Sequence, residues 1–438
     1  MRRFGIFFVL AALVCLLSMC FTAAPAQAQN FQTLYTFTGI SPDGANPWND
    51  PLLKLGGTLY GTTSVGGANG GGTVYKINSD GTETVLYSFC PPPYNCSDGW
   101  FPQSNVLPDW QGNLYGVALF GGDTTSTNCV YNFGCGVLYK LDTNGILTVL
   151  YTFTGGADGN IPQGLNMDWA GNLYGITFNG GDLSCPIPQT PPGCGTVYKF
   201  DTRGNFTVLY AFKGGADGAV PNDYLTLDWA GNIYGVTTAG GNTSFCSGNG
   251  CGTVFKLDRS GKLTTLHTFT GTDGSGANGS LVLDAWGNLY GTTNFGGDLT
   301  CNGGTGCGVA FKLTTARKYK VVHTFTGAPD GAISPMGLIQ DWSGNLYGVT
   351  EWGGTGDCSS WSTAPPGCGT VFKLDATGHE TVVYSFTGLA DGASPGSALT
   401  MDIWGNLYGN TLYGGDFSCA AGFNAGGGCG VAYKIAAR

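Results

Sequence analysis

The chain has 438 residues, only 11% of them charged, and its formal net charge at pH 7 is −10. A sparsely charged, acidic surface argues against nucleic acid and anionic membranes as partners, because both attract clusters of Lys and Arg. Hydrophobic residues make up 42% and aromatic residues 13%, which excludes a disordered chain despite 77 glycines.

The first residues have the pattern of a secretory signal. Arg2 and Arg3 precede an apolar run over 4–21, and Ala26-Gln27-Ala28 forms a small-residue cleavage motif. Residues 1–28 are therefore predicted to be a signal peptide, and the mature chain is predicted to begin at Gln29 and to be secreted, extracellular or periplasmic. No later stretch has the roughly 18 apolar residues that cross a bilayer, so no transmembrane segment is predicted.

A short phrase, Gly-Asn-Leu-Tyr-Gly, recurs along the mature chain in seven near-copies. Its tyrosines are 55, 59, 60, 56, 57 and 61 residues apart. They are Tyr60, Tyr115, Tyr174, Tyr234, Tyr290, Tyr347 and Tyr408. A repeat of this length indicates one supersecondary unit copied around an array.

Each repeat divides into four strand-like pieces, exemplified by 224–228, 232–237, 252–258 and 263–269. Apolar and polar residues alternate within them, and Gly and Asp-x-x-Gly turns separate them, which is typical of antiparallel strands. Seven such units predict an all-β fold, a seven-bladed β-propeller with four-stranded blades. The uninterrupted repeat predicts a single domain over 29–438, and we expect a monomer.

The two ends of the mature chain predict how the ring closes. Residues 33–37 match the fourth strand of a repeat, and residues 431–435 match the third. The N-terminal strand is therefore expected to complete the last blade, which leaves no open sheet edge there. In this order the Asp-Gly loops and the cysteine loops share one face, which is the predicted ligand face.

Fourteen of the 16 cysteines lie beyond the signal and fall into close pairs. An even number of cysteines in a secreted chain predicts disulfides rather than metal sites. The predicted pairs are Cys90/Cys96, Cys129/Cys135, Cys185/Cys194, Cys246/Cys251, Cys301/Cys307, Cys358/Cys368 and Cys419/Cys429.

The repeated phrase, the Gly-Thr-Val-Tyr-Lys of 195–199 and the Leu-Tyr-x-Phe-x-Gly-x-x-Asp-Gly of 150–159 resemble the GloVer tandem-repeat family of secreted bacterial proteins. The resemblance covers the whole mature chain and implies an exported repeat protein without an established activity. The strand order also resembles propellers of the NHL and quinoprotein types.

Residues present in every repeat are expected to be structural. Third-strand lysines are expected to pair with carboxylates, and these are Lys76, Lys140, Lys199, Lys256, Lys312, Lys373 and Lys434. Tryptophans before the first turn are expected to pack between blades, and these are Trp110, Trp169, Trp229, Trp286, Trp342 and Trp404.

Seven aspartates precede a glycine at the start of the inner strand: Asp43, Asp98, Asp158, Asp217, Asp273, Asp330 and Asp391. Asp-Gly is first of all a turn dipeptide. The alternative is a ring of carboxylates at the channel mouth that binds Ca²⁺ or a polyhydroxyl ligand. No other cofactor is predicted.

Unrepeated residues are the better candidates for a binding site. Trp48, Trp100, Trp352 and Trp361, with Glu351, fall in segments of the predicted ligand face. Aromatic rings beside carboxylates suit sugar stacking and hydroxyl contacts, although the same rings can equally plug loops.

These observations predict an exported, disulfide-stabilised binding or scaffold module whose ligand is an extracellular glycan or a protein. An enzyme is the less favoured reading, because no catalytic motif is present and His267 and His323 occupy a position that tyrosine fills in other repeats. Its form would be a hydrolase or lyase using the channel-mouth carboxylates Asp50 and Asp223. A purely structural envelope protein is a further alternative.

Overall fold

The computed structural model describes residues 30–48, 51–93, 95–129, 133–189, 191–333, 336–359, 366–419 and 427–437. They form seven antiparallel four-stranded blades in a ring, which confirms the predicted seven-bladed β-propeller. The described residues contain no α-helix, and their helical turns are two short 3₁₀ segments, Cys246–Gly248 and Asn302–Gly304.

The strands of each blade follow one another from the channel outwards. The first strands, some of them split in two, are Leu53–Leu55, Trp100–Pro102 with Leu107–Pro108, Asn160–Met167, Ala219–Pro221 with Thr226–Leu227, Ser275–Leu283, Ile339–Gln340 and Thr400–Met401. The second strands are Thr58–Thr63, Leu114–Phe120, Leu173–Asn179, Ile233–Ala239, Leu289–Phe295, Leu346–Thr350 and Leu407–Asn410. A short pair, Gly44–Ala45 with Val65–Gly66, leads into blade 1.

The third strands are Thr73–Ile77, Val137–Leu141, Thr196–Phe200, Thr253–Leu257, Val309–Leu313, Thr370–Leu374 and Val431–Ile435. The fourth and outermost strands are Glu83–Ser88, Leu147–Thr152, Phe206–Ala211, Leu263–Thr268, Tyr319–Thr324, Glu380–Ser385 and, for blade 7, Phe31–Thr36.

The second glycine of the repeated phrase makes room for an aromatic ring of the third strand. A Cβ atom at Gly235 would lie 2.6 Å from Cζ of Phe255, and one at Gly348 would lie 2.6 Å from Cζ of Phe372. Both rings are completely buried. Any larger residue at this position would overpack the blade, so the phrase is a packing requirement.

Neighbouring blades are joined by seven edge-to-face aromatic pairs. Each pairs a phenylalanine that follows a fourth strand with a ring on the third strand of the next blade, at centroid distances of 5.1 to 5.5 Å. The pairs are Phe37–Tyr75, Phe89–Tyr139, Phe153–Tyr198, Phe212–Phe255, Phe269–Phe311, Phe325–Phe372 and Phe386–Tyr433. Such contacts favour a fixed angle between blades as well as burial.

The N-terminal strand closes the ring as predicted. Phe31–Thr36 pairs antiparallel with Val431–Ile435, and the Phe37 amide donates to the Gly430 carbonyl at 3.1 Å. Because blade 7 combines the two ends of the chain, opening this blade would open the ring.

All seven predicted disulfides are present. Seven disulfides in one chain are typical of a protein from an oxidising compartment. Six bridge the loop between the second and third strands of a blade, and the first lies in the loop that leads to blade 2. They are Cys90–Cys96, Cys129–Cys135, Cys185–Cys194, Cys246–Cys251, Cys301–Cys307, Cys358–Cys368 and Cys419–Cys429.

The cysteine loops and the Asp-Gly loops lie on one face of the ring, as expected. The Gly181 amide, at the start of one cysteine loop, donates to the Gly156 carbonyl of an Asp-Gly loop at 2.9 Å. The same contact joins Gly241 to Gly215 in the next blade. We call this the cysteine-loop face and the opposite one the turn face.

Candidate functional site

The seven Asp-Gly aspartates each serve their own loop on the cysteine-loop face. Asp158, for example, accepts hydrogen bonds from the Tyr151 hydroxyl at 3.1 Å and the Thr154 amide at 2.9 Å. His267 and His323 take the tyrosine's place in two blades and contact Asp273 and Asp330 at 3.0 and 3.2 Å. No group of three or more His, Cys, Asp or Glu able to hold a metal occurs among the described residues.

The cysteines of this face are structural rather than part of a ligand surface. The second cysteine of each of the six loop bridges is completely buried, with 0% of its surface exposed. These residues are Cys135, Cys194, Cys251, Cys307, Cys368 and Cys429. Their disulfide pairing is confirmed, and their burial agrees with a structural role.

The burial of these cysteines has a backbone cause. Each stands immediately before the glycine that leads into a third strand, and its carbonyl accepts an amide at the start of the next blade. The Cys135 carbonyl accepts from the Ile161 amide at 3.2 Å, and the Cys429 carbonyl accepts from the Asn46 amide at 3.0 Å. The second cysteine of each of these bridges therefore lies at a junction between blades, whereas Cys185, Cys246 and Cys301 remain partly exposed.

Side chains and backbone of the first strands fill the channel. The Asn105 amide of blade 2 donates to the Tyr224 hydroxyl of blade 4 at 3.1 Å, and the Asn105 side chain donates to the Leu165 carbonyl of blade 3 at 3.0 Å. Asp223 lies beside this plug, is 7% exposed and has a φ of 65°. Asp50, the other candidate channel-mouth carboxylate, lies outside the described residues.

Glu351 connects two blades at the cysteine-loop face. Its Oε1 accepts a hydrogen bond from Ser394 Oγ at 3.2 Å. Burial raises the pKa of the Glu351 carboxyl, and the Ser394 hydrogen bond acts in the opposite direction. Burial also raises the pKa of Tyr413, and the nearby Glu351 adds to that shift. The three side chains form one compact polar contact between blades 6 and 7.

The unrepeated tryptophans of this face are in three different situations. Trp352 is 9% exposed and belongs to the core of blades 6 and 7, which favours the loop-plugging alternative for this ring. Trp100 lies in an aromatic cluster, with its ring 5.0 Å from Phe133 and 5.8 Å from Phe120. Trp48 is half-buried. Trp361 lies outside the described residues.

On the turn face, an aspartate organises the repeated phrase in blades 2 to 7. In blade 3 the Asp168 carboxylate accepts from the Asn172 amide at 2.9 Å, from the Asn172 side chain at 2.8 Å and from the Tyr174 hydroxyl at 3.1 Å. The same arrangement recurs at Asp109, Asp228, Asp284, Asp341 and Asp402. The Asn and Tyr of the phrase are therefore held by the turn that precedes them.

The third-strand lysines differ from expectation. Lys199 Nζ lies 5.4 Å from the centroid of the Tyr174 ring, and five further blades have the equivalent cation–π contact. Among the described residues these lysines form no direct ion pair with a carboxylate, although the charges of Lys256 and Lys140 help to lower the pKa of Asp228 and Asp142. A cation over an aromatic ring keeps part of its charge available to solvent or a ligand.

The repeated tryptophans are not buried between blades as expected, although Trp169 and Trp229 stack on each other across two neighbouring blades. They are exposed on the turn face: Trp110 by 95%, Trp169 by 78%, Trp229 by 88%, Trp286 by 78%, Trp342 by 98% and Trp404 by 71%. The turn geometry explains this, because the Gly171 amide donates to the Asp168 carbonyl and leaves Trp169 as a central residue of a tight turn. The available signals were the motifs Asp-Trp-x-Gly in four blades and Asp-x-Trp-Gly in two, since central turn residues project away from the sheet.

Blades 3 and 4 enclose a groove of about 820 Å³ on the turn face. Trp169 and Trp229 stack across it with ring centroids 5.5 Å apart and planes 12° apart. Lys199 and Arg259 also line the groove. Exposed aromatic and cationic groups therefore lie side by side in this groove.

No curated protein is significantly similar to the chain in sequence. Among solved structures, a gluconolactonase from Xanthomonas campestris is 15% identical with a TM-score of 0.38, covering 75% of this chain and 83% of that one. A luciferin-regenerating enzyme is 15% identical with a TM-score of 0.45, covering 80% of this chain and 97% of that one.

No helix in the described part of the chain is long and apolar enough to span a membrane. The Gloeobacter/Verrucomicrobia repeat model matches three overlapping segments, residues 19–187, 131–360 and 189–423. These matches extend over most of the sequence and agree with the repeats described above, so the chain belongs to the Gloeobacter/Verrucomicrobia repeat family.

Proposed function

We propose that the protein is an exported binding module that recognises a polysaccharide through the tryptophans of its turn face. The observation that carries this proposal is the exposure of six indole rings, between 71 and 98%, on one face of the ring. Large exposed aromatic groups on a folded protein mark interaction sites. Each indole here stands beside hydrogen-bonding side chains of its own blade.

The chemistry of each platform suits a pyranose. An indole offers a flat apolar surface to the C–H face of the sugar, and neighbouring polar groups can contact its hydroxyls. Trp229, for example, shares its turn with Asp228 and Asn232, and Lys256 lies on the third strand of the same blade. A protein partner would favour one continuous apolar patch, whereas these platforms are repeated around a ring.

The repetition favours a polymer over a single sugar. Several weak platforms acting on one chain raise the overall affinity by orders of magnitude without any new contact. A polysaccharide with repeated units can occupy adjacent blades at once, so the proposed ligand is a long glycan rather than a monosaccharide.

Affinity electrophoresis and titration calorimetry with soluble β-glucan, xylan, galactomannan and polygalacturonate test this proposal. We expect retardation by at least one polymer, little by its monosaccharide, and a loss of about 100-fold or more in affinity when Trp110, Trp229 and Trp342 are all changed to Ala. Trp100→Ala, on the other face, is the matched control. Equal binding by the triple variant, or loss with Trp100→Ala instead, would overturn the assignment to the turn face.

A further inference from the structure

The third turn of blade 4, which borders the groove between blades 3 and 4, carries an arginine, Arg259. The equivalent residue of the third turn is Ser79, Thr143, Thr202, Thr315 or Ala376 in other blades. The geometry is shared: the Arg259 side chain lies 3.0 Å from the site of a Cβ on Gly231, as Thr202 lies 3.2 Å from that on Gly171. Arginine therefore replaces a short neutral side chain at one fixed place.

Arg259 reaches from blade 4 towards blade 3. It lines the groove together with Lys199 and Tyr174. Burial and Asp168 raise the pKa of Tyr174 to about 12, and the positive charge of Arg259 acts in the opposite direction, consistent with its nearness to that hydroxyl. The guanidinium and the Lys199 ammonium thus both lie near Tyr174.

The three carboxylates that line the groove, Asp168, Asp228 and Asp258, accept hydrogen bonds from their own turns, whereas the two cationic groups have no such partner in the described part of the chain. Asp168 is bonded to Asn172 and Tyr174. Asp258 accepts from the Ser260 hydroxyl at 2.6 Å and the Lys262 amide at 3.0 Å. Among the described residues, neither the Arg259 guanidinium nor the Lys199 ammonium has a hydrogen bond or an ion pair to a protein group.

From this arrangement we propose that the groove between blades 3 and 4 binds the carboxylate of a uronic-acid unit, with Arg259 as the anion-binding residue. The planar guanidinium matches a carboxylate with two parallel hydrogen bonds. The stacked pair Trp169 and Trp229, whose centroids are 5.5 Å apart, supplies the apolar platform for the ring that bears it. Lys199 adds a second, longer-range attraction.

The inference rests on the proposed polysaccharide-binding function and narrows it. The chain as a whole is acidic, so an anionic polymer needs a local cationic site to overcome general repulsion. In the groove, which also holds three carboxylates, Arg259 provides that local cationic contact, whereas the other blades have a third-strand lysine but no arginine at this position of the turn. Binding of the polymer is then more salt-dependent at this position than at the other blades.

The test compares polygalacturonate with the same polymer after chemical reduction of its carboxyl groups, by titration calorimetry at 20 and 150 mM salt. We expect the wild-type protein to prefer the acidic polymer about tenfold at low salt and Arg259→Thr to remove that preference while binding the reduced polymer unchanged. Arg203→Thr, in the neighbouring turn, is the matched loss-of-charge control and should keep the preference.

The outcomes separate the two proposals. Equal affinity of the wild-type protein for both polymers, or a preference that survives Arg259→Thr, overturns the uronate site and leaves polysaccharide binding standing. No binding to either polymer or to the neutral glycans overturns both. The variant Ala376→Arg places an arginine at the equivalent turn of blade 6. If this variant gains a second site that prefers the acidic polymer, the gain would support the geometric argument directly.

Discussion

The two faces of the ring use their polar and aromatic residues in opposite ways. On the cysteine-loop face, aspartates are bonded within their loops, Trp352 is buried, and disulfides fix the long segments. On the turn face, turns are short and tryptophans remain in water. The polar groups of the cysteine-loop face, where the loops vary most between repeats, are thus hydrogen-bonded within their own loops. The turn face, whose segments are the most uniform, exposes the groups that a ligand would need.

This contrast changes how internal repetition should be interpreted. A residue found in every repeat is expected to be structural, and that holds for the phrase glycines and for the Asp–Asn–Tyr hydrogen bonds. The expectation fails for the tryptophans. Their rings are mostly exposed, so they contribute little to the stability of the fold for their size. A repeated exposed residue is better explained by a ligand that is itself repeated.

Replacing one tryptophan on each face of blade 6 should give the largest difference. Trp352→Ala removes a core ring that is 9% exposed, and we expect a loss of about 3–5 kcal/mol in the free energy of unfolding. Trp342→Ala removes a ring that is 98% exposed, and we expect a change within about 0.5 kcal/mol. Urea unfolding with disulfides intact measures both. Similar losses for the two variants would contradict the described difference between the faces.

Removing one disulfide should separate stability from binding. Cys185 and Cys194, which are nine residues apart, bridge the cysteine loop of blade 3, on the face opposite the uronate groove. Changing both to Ala should cost about 2–3 kcal/mol by the loop-entropy estimate. Affinity for polygalacturonate should stay within about twofold, because no groove residue contacts the bridge. A parallel loss of affinity would show that the two faces are coupled. The double variant of Cys246 and Cys251, in the next blade, is the control.

The sequence was sufficient for the architecture and insufficient for the exposed site. Strand alternation, the matching ends at 33–37 and 431–435, and the close cysteine pairs are local patterns, so they predicted the blades, the closure and the disulfides correctly. The exposure of Trp169 depends on which residues of a turn project beyond the sheet. The contact partner of Lys199 depends on which neighbouring carboxylates are already hydrogen-bonded. Both are decided by three-dimensional competition among neighbours that a linear pattern does not contain. The same holds for Arg259, whose place beside Tyr174 of another blade is a contact between blades.

The smallest expected effect is a pH dependence that differs between the scaffold and the turn face. Burial and the nearby Asp43 raise the pKa of Glu83 from 4.5 to about 7. Burial and Asp330 raise the pKa of Glu380 from 4.5 to about 7 as well, although the charge of His323 acts to lower it. A carboxyl whose pKa is higher in the folded state stabilises the fold fully below the unfolded value. Stability should therefore fall as the pH rises from about 4.5 to about 7 and then level off.

Substituting both groups tests the sign and the source of that fall. The variant with Glu83→Gln and Glu380→Gln cannot ionise there, so its urea midpoint should change less between pH 4.5 and 7 than that of the wild-type protein. Asp298→Asn is the control, because hydrogen bonds from Thr300 lower the pKa of Asp298 and its titration lies below this window. On the turn face, burial acts to raise the pKa of Asp168, but hydrogen bonds from Asn172 and Tyr174 hold it below its ordinary value. Glycan affinity should consequently stay constant over the range in which stability falls, and an affinity that follows the stability curve would mean that binding depends on the outer strands as well.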